Sequence, residues 1–92
     1  MNPDEARLRL RSRSVAWRVT GAQVVAVDLE RSEYLLVNRS GAELWRLLAT
    51  GASVGELRDL LVVRYGVGVA TAEADVKRFV ASLDARRLLE SV

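Results

Sequence analysis

The apolar positions between Val15 and Val37 follow extended, strand-like patterns broken by two turns, and from Ser40 onward they recur at the helical period. In the first strand Val15, Trp17 and Val19 point one way and Ala16, Arg18 and Thr20 the other, the pattern of a half-buried strand. Gly21-Ala22 makes the turn. Gln23-Val24-Val25-Ala26-Val27-Asp28 is β-branched and apolar on both faces, as a middle strand requires. Glu30-Arg31-Ser32 signals a second turn, and Glu33-Tyr34-Leu35-Leu36-Val37 resumes the extended pattern. Three consecutive strands with short connections predict an antiparallel meander whose third strand is an edge. Upstream, Met1 to Glu5 reads as a loose terminus. Arg7-Leu8-Arg9-Leu10-Arg11 alternates without β-branched residues and reads as an arm or a frayed strand.

The helical half is punctuated chemically. Ser40-Gly41-Ala42-Glu43 has the spacing of a capping box, Leu44, Trp45 and Leu48 form the buried stripe, and Gly51 ends the helix. Ser53-Val54-Gly55-Glu56 repeats the box, and Val54, Leu57, Leu61 and Tyr65 follow until Gly66 and Gly68. Thr71 is the expected cap of a third helix, with Glu73 and Asp75 near its positive end and a stripe of Ala72, Val76, Phe79, Val80 and Leu83, closing at Leu88-Leu89. The order βββααα defines an α+β, winged-helix-like fold: an N-terminal three-stranded antiparallel sheet followed by three helices. Residues 1–13 form the flexible arm or frayed strand and 14–92 one domain.

Composition narrows the chemistry. Ninety-two residues, half of them hydrophobic, suffice for one core but leave little material for a walled active site. Cysteine and histidine are absent, so thiolate or imidazole metal sites and the usual Ser/His and Cys/His couples cannot be built. None of Ser12, Ser14, Ser32, Ser40, Ser53, Ser82 and Ser91 has a visible base or oxyanion site. Glu43, Glu56, Glu73 and Asp75 sit in first turns of helices, where they serve the helix dipole. Gly66-x-Gly68 lacks the rest of a phosphate loop. No catalytic residue, metal or cofactor is expected. No apolar run approaches the roughly 18 residues of a membrane span, and Asn2-Pro3-Asp4-Glu5 does not begin a signal peptide, so a cytoplasmic domain away from membranes is expected.

Net charge is +2 and the sequence pI about 9.7, but the basicity is local. Up to Arg18 five arginines face Asp4 and Glu5, a balance of +3; from Val19 nine basic residues face ten acidic ones, a balance of −1. The third helix carries Lys77, Arg78, Arg86 and Arg87 against Glu73, Asp75, Asp84 and Glu90. A small DNA-binding or regulatory winged-helix-like domain is therefore the alternative reading, with no specific nucleic acid expected. Trp45 reads as core, whereas Tyr34 stands on the edge strand.

The segment Asp28 to Trp45 resembles the PqqD-like family, the precursor-peptide recognition element of pathways that make ribosomally synthesised, post-translationally modified peptides. The resemblance rests on Val37-Asn38-x-Ser40-Gly41 followed by Leu44-Trp45. It continues through Ser53-Val54-x-Glu56-Leu57, Tyr65, and Asp75-Val76 to Phe79, Leu83 and Leu88-Leu89. It covers Val15 to Leu89. Family members often carry Gly where Ser32 stands and before the final apolar pair, where this chain has Arg86-Arg87; the latter is similar to stand-alone proteins of lasso-peptide pathways. The resemblance implies a non-catalytic adaptor that binds the leader segment of a precursor as an added strand on the third strand, in a groove walled by the third helix. It presents the precursor to a transglutaminase-like leader peptidase and a cyclase. The implied peptide-binding residues are Glu33, Tyr34, Leu35, Leu36 and Val37 on the edge, Val76, Phe79, Val80 and Leu83 as groove or core, and Lys77, Asp84 and Arg87 on the rim. Donor direction alternates along a strand, so either Glu33, Leu35 and Val37 or Tyr34 and Leu36 present their N–H groups to the leader.

Overall fold

The structure, a computed structural model, describes residues 5–92; the expected loose terminus lies, up to Asp4, outside the described residues. The elements in chain order are β1 (Arg7–Leu10), β2 (Val15–Thr20), β3 (Gln23–Asp28), β4 (Glu33–Asn38), α1 (Arg39–Thr50), β5 (Ala52–Ser53), α2 (Val54–Tyr65), α3 (Val69–Ala85) and β6 (Leu89–Ser91).

The meander forms as the pattern requires, in the order β2-β3-β4 with β4 on an edge. Thr20 pairs with Gln23, leaving the two-residue loop Gly21-Ala22, and Gly21 supplies the positive φ of 63° that such a hairpin needs at its first position. Side chains of Val19, Val24 and Val37, and of Trp17, Ala26 and Leu35, line up on the inner face in register. Helix α1 packs there: Trp17 meets the fully buried Trp45 edge to face, centroids 6.2 Å apart. Leu48, Leu57, Val76 and Leu88 complete a core contributed by all three helices and the last turn.

The order of strands and helices is the expected one with an addition. Arg7–Leu10 is a strand paired on both sides, the centre of a second sheet β5-β1-β6. Leu10, Ala52 and Leu89 are buried there. No β-branched run marks this sheet, because its strands have only two to four residues and owe their conformation to their partners.

Two helix starts differ from expectation. The ladder runs directly into α1: the Arg39 N–H still bonds the Ala22 carbonyl at 3.0 Å, so the helix begins with Asn38 as N-cap and no box forms at Ser40. The Glu43 carboxylate instead accepts from the Tyr65 hydroxyl at 2.7 Å and pairs with Arg64 at 3.0 Å. Helix α3 starts at Val69 after Gly68, which places Thr71 inside its first turn. The Ser53–Glu56 box of α2 does form, with bonds of 3.1 and 3.2 Å. Among the described residues no helix is long and apolar enough to cross a membrane.

Candidate functional site

Ladder geometry settles which atoms β4 offers at its open edge. In an antiparallel pair, directly opposed residues alternate between exchanging both hydrogen bonds and exchanging none. The Arg39 N–H bond to Ala22 makes 22/39 a bonded pair, so Val37, Leu35 and Glu33 turn their N–H and C=O groups toward Val24, Ala26 and Asp28. On the other side of β3, the Leu29 N–H bond to Ser14 (2.9 Å) puts Gln23, Val25 and Val27 in the bonded pairs with β2, the complementary set. Tyr34 and Leu36 therefore present their backbone donors and acceptors outward, unmatched by any strand among the described residues.

Beside that edge runs a groove of about 360 Å³ with Leu35, Val37 and Gly41 on one side and Phe79, Ser82, Leu83 and Arg86 of α3 on the other. Gly41 is required: a Cβ there would lie 2.8 Å from Val37 Cγ1 and 3.5 Å from Phe79 Cε1, so glycine lets α1 start against the groove floor. At the Gly41 end the groove continues into an apolar cavity of about 480 Å³ among Leu44, Leu61, Tyr65, Val67 and Phe79, with Ser40 and the Asp75–Arg78 ion pair (2.8 Å) also lining it. The hydrogen bond to Glu43, burial and the Glu43 charge hold the Tyr65 phenol above its ordinary pKa.

The opposite end is clamped. Asp28 is fully buried; its Oδ1 accepts from the backbone N–H groups of Glu30 (3.0 Å) and Arg31 (3.1 Å), and its Oδ2 lies 3.4 Å from the Arg31 guanidinium. The same guanidinium nitrogen donates to the Arg86 carbonyl at 2.8 Å, tying the β3–β4 turn to the end of α3, and Arg86 reaches Glu33 at 3.7 Å. Burial pushes the Asp28 carboxyl up, and these hydrogen bonds with the Arg31 charge outweigh it, leaving the pKa below the ordinary value.

Several residues expected in the site stand elsewhere. Leu35, Val37, Phe79 and Leu83 line the groove, Leu36 borders it, and Glu33 sits at the clamped end. Tyr34 is 80% exposed on the outer face. Val76 is fully buried in the core and offers no surface to a ligand, and Val80 is half-buried against the core. Lys77 pairs with Glu73 at 2.9 Å on the exposed side of α3. The Asp84 carbonyl accepts from the Arg87 N–H (2.9 Å), and Arg87, at φ 57°, forms the C-terminal turn rather than a wall of the groove. The helix face on the groove is Phe79, Ser82, Leu83 and Arg86, turned about one residue from the Val76, Val80, Leu83 stripe. Spacing i, i+3, i+4, i+7 from Phe79 would have found Ser82 and Arg86.

A sheet edge left open among the described residues, beside a helix-walled apolar groove, is the arrangement that peptide recognition by strand addition uses. Residues 23–89 match the family described as coenzyme PQQ synthesis protein D (PqqD), and the chain belongs to that family. It is similar to TbiB1, solved in complex with the TbiA(beta) leader peptide, at 28% identity over 89% of this chain and 94% of that one, with a TM-score of 0.81. It is also similar to a lasso peptide synthetase B1 complexed with the leader peptide, at 26% identity over 90% and 96%, TM-score 0.78. The PqqD truncation of Methylobacterium extorquens PqqCD, described as a stand-alone RiPP recognition element, shares the fold at 23% identity over 98% and 99%, TM-score 0.69. None of the curated proteins matches the chain.

Proposed function

We propose that this chain captures the leader segment of a ribosomally made precursor peptide as a fourth strand on β4, and holds it in the groove against α3. The observation that carries this reading is the outward set of Tyr34 and Leu36 backbone groups beside an apolar groove, in a chain similar to two proteins solved with leader peptides. Backbone pairing supplies affinity, and alternate side chains of the leader enter the groove and its terminal cavity. The chain does no chemistry itself. It works in the cytoplasm, delivering the precursor to a transglutaminase-like leader peptidase and a cyclase. Against the DNA-binding alternative, Lys77, Arg78 and Arg86 of α3 and its C-terminal turn are all engaged in ion pairs. The test is titration of the fluorescently labelled leader of the precursor encoded beside this chain's gene. Saturable binding by the parent is expected; a leader that does not bind overturns the reading.

A further inference from the structure

A cationic crevice lies beyond the groove, on the far side of Tyr65. Arg39 and Arg46, seven residues apart and so on one face of α1, line it together with Val19, Ala42, Glu43 and Tyr65 around a volume of about 210 Å³. A neighbouring crevice of about 290 Å³ between α1 and α2 shares Glu43 and Arg46 and adds Arg64. Three guanidinium groups thus stand around one carboxylate, a surplus of two positive charges. That carboxylate is already taken: Glu43 pairs with Arg64 at 3.0 Å and accepts from the Tyr65 hydroxyl at 2.7 Å. Arg39 and Arg46 are exposed and have no carboxylate partner among the described residues. The Tyr65 phenol registers the surplus: the Glu43 hydrogen bond, burial and the Glu43 charge raise its pKa, while the Arg64 and Arg39 charges act against them. Arg39 also stands at φ 39°, a left-handed conformation that costs an L-residue free energy and recurs at ligand clamps.

Continuity with the groove names the occupant. Tyr65 lines both this crevice and the apolar cavity that ends the groove, and Ser40 and Gly41 of that cavity lie in sequence between Arg39 and Ala42 of the crevice. A peptide paired to β4 that runs on past Asn38 crosses Tyr65 and arrives at Arg39 and Arg46. Two guanidinium forks without a partner are matched by carboxylates, which accept their parallel N–H groups. We infer that Arg39 and Arg46 form a subsite for acidic side chains of the precursor just outside its β4-paired stretch. The inference rests on the leader-capture reading above and deepens it by giving the leader a charge requirement. Its physical use is register. Strand pairing at a sheet edge tolerates a slip of two residues, because such a slip returns every side chain to its own face. A carboxylate that has to meet Arg39 and Arg46 allows one register only.

The probes are the labelled leader of the precursor encoded beside this chain's gene and a set of leaders in which each Asp or Glu is changed singly to its amide. They are titrated by polarisation against the parent, Arg39→Gln, Arg46→Gln, the double variant, and Arg13→Gln, which removes the same charge from the exposed β1–β2 connection. All the substituted positions are exposed, and the variants are expected to keep the parent's urea midpoint. The double variant should bind the unmodified leader about fivefold more weakly or worse, with a shallower salt dependence, and Arg13→Gln should bind it like the parent. At least one amide leader should lose about as much against the parent and nothing further against the double variant, as a direct pair requires. A double variant that binds like the parent overturns the inference. So does a leader without carboxylates, or an amide loss as large in the double variant as in the parent. A DNA duplex retained by the parent at physiological salt and released by the double variant assigns the crevice to phosphate, and overturns it as well. A parent that binds no leader at all is a failure of the capture reading, seen before any variant is compared.

Discussion

Gly41 stands where any Cβ would lie 2.8 Å from Val37 Cγ1, so the first turn of α1 rests on the last apolar residue of the edge strand. Gly41→Ala gains helix propensity worth about 0.5–1 kcal/mol, but the β-branched Val37 has little freedom to move aside, and overpacking costs about 1–3 kcal/mol. The expected net is a loss of about 1–2 kcal/mol in urea unfolding. Leader affinity falls too, because Val37 and Phe79, the two side chains nearest the new methyl, both line the groove.

The phase of the β4 ladder makes a proline scan asymmetric. Leu36→Pro removes an N–H that faces the open edge, and should leave the urea midpoint near the parent's while weakening leader binding about tenfold or more. Leu35→Pro removes an N–H bonded to Ala26 within the ladder, and should lower the midpoint by about 3 kcal/mol of stability or unfold the chain. Polarisation and urea melts on the two variants read the contrast directly. The reverse assignment, with Leu35→Pro folded and defective in binding, would contradict the edge described here.

Much of this architecture was legible from periodicity, and the parts that were not share a physical cause. Strand β2 alternates over its six residues, β3 is a β-branched run apolar on both faces, β4 resumes an extended apolar pattern, and the α1 stripe of Leu44, Trp45 and Leu48 announces its buried face. The Arg7–Leu10 strand could not be told from an arm, since its pairing with Ala52-Ser53 and Leu89–Ser91 is a tertiary fact. The α1 start was displaced because Arg39 continues the sheet ladder, which outweighs a local capping preference at Ser40. Within the site, the edge was readable but its phase was not: side-chain alternation reports faces of a sheet, whereas donor direction lies in its plane. On α3 the strongest apolar stripe marks the core, and the groove face beside it includes the polar Ser82 and Arg86.

Both departures from the glycines of the resembled family fall on left-handed backbone. Ser32 has φ 55° in the β3–β4 turn; Arg87 has φ 57° at the end of α3, where the Arg87 N–H bonds Asp84 O and the Leu88 N–H bonds Leu83 O in a Schellman arrangement. An L-residue there pays a steric cost that glycine avoids, partly offset by glycine's greater freedom when unfolded. Ser32→Gly and Arg87→Gly are each expected to raise stability by about 0.5–1 kcal/mol, nearly additively, in urea unfolding. The Arg11 side-chain bond to the Arg87 carbonyl, 3.3 Å, needs only backbone and survives the change.

Acid should loosen the clamped end of the groove. Asp28 is held below its ordinary value of 3.8 despite burial, by the Arg31 and Glu30 backbone N–H groups and the Arg31 guanidinium. A carboxyl whose pKa is lower folded than unfolded contributes stability that is fully present above the unfolded value and is lost as pH falls through the folded one. Glu56 is shifted in the same sense, chiefly by the Ser53 backbone N–H and then by Arg7, and so is Glu73, by Lys77, so the parent's urea midpoint should decline as pH falls below the ordinary carboxyl range, through all three groups. Asp28→Asn puts an amide where the carboxylate met Arg31, and should lower the midpoint at neutral pH while flattening the acid decline. Glu56→Gln flattens its own share and leaves that of Asp28. The two are separable by binding: protonated Asp28 releases Arg31 from one of its two anchors, and Arg31 is what ties the β3–β4 turn to the Arg86 carbonyl. Leader affinity at neutral pH should therefore fall in Asp28→Asn and stay at the parent's level in Glu56→Gln, whose side chain caps α2 away from the groove. Equal affinities in the two variants would show that the clamp does not set the groove.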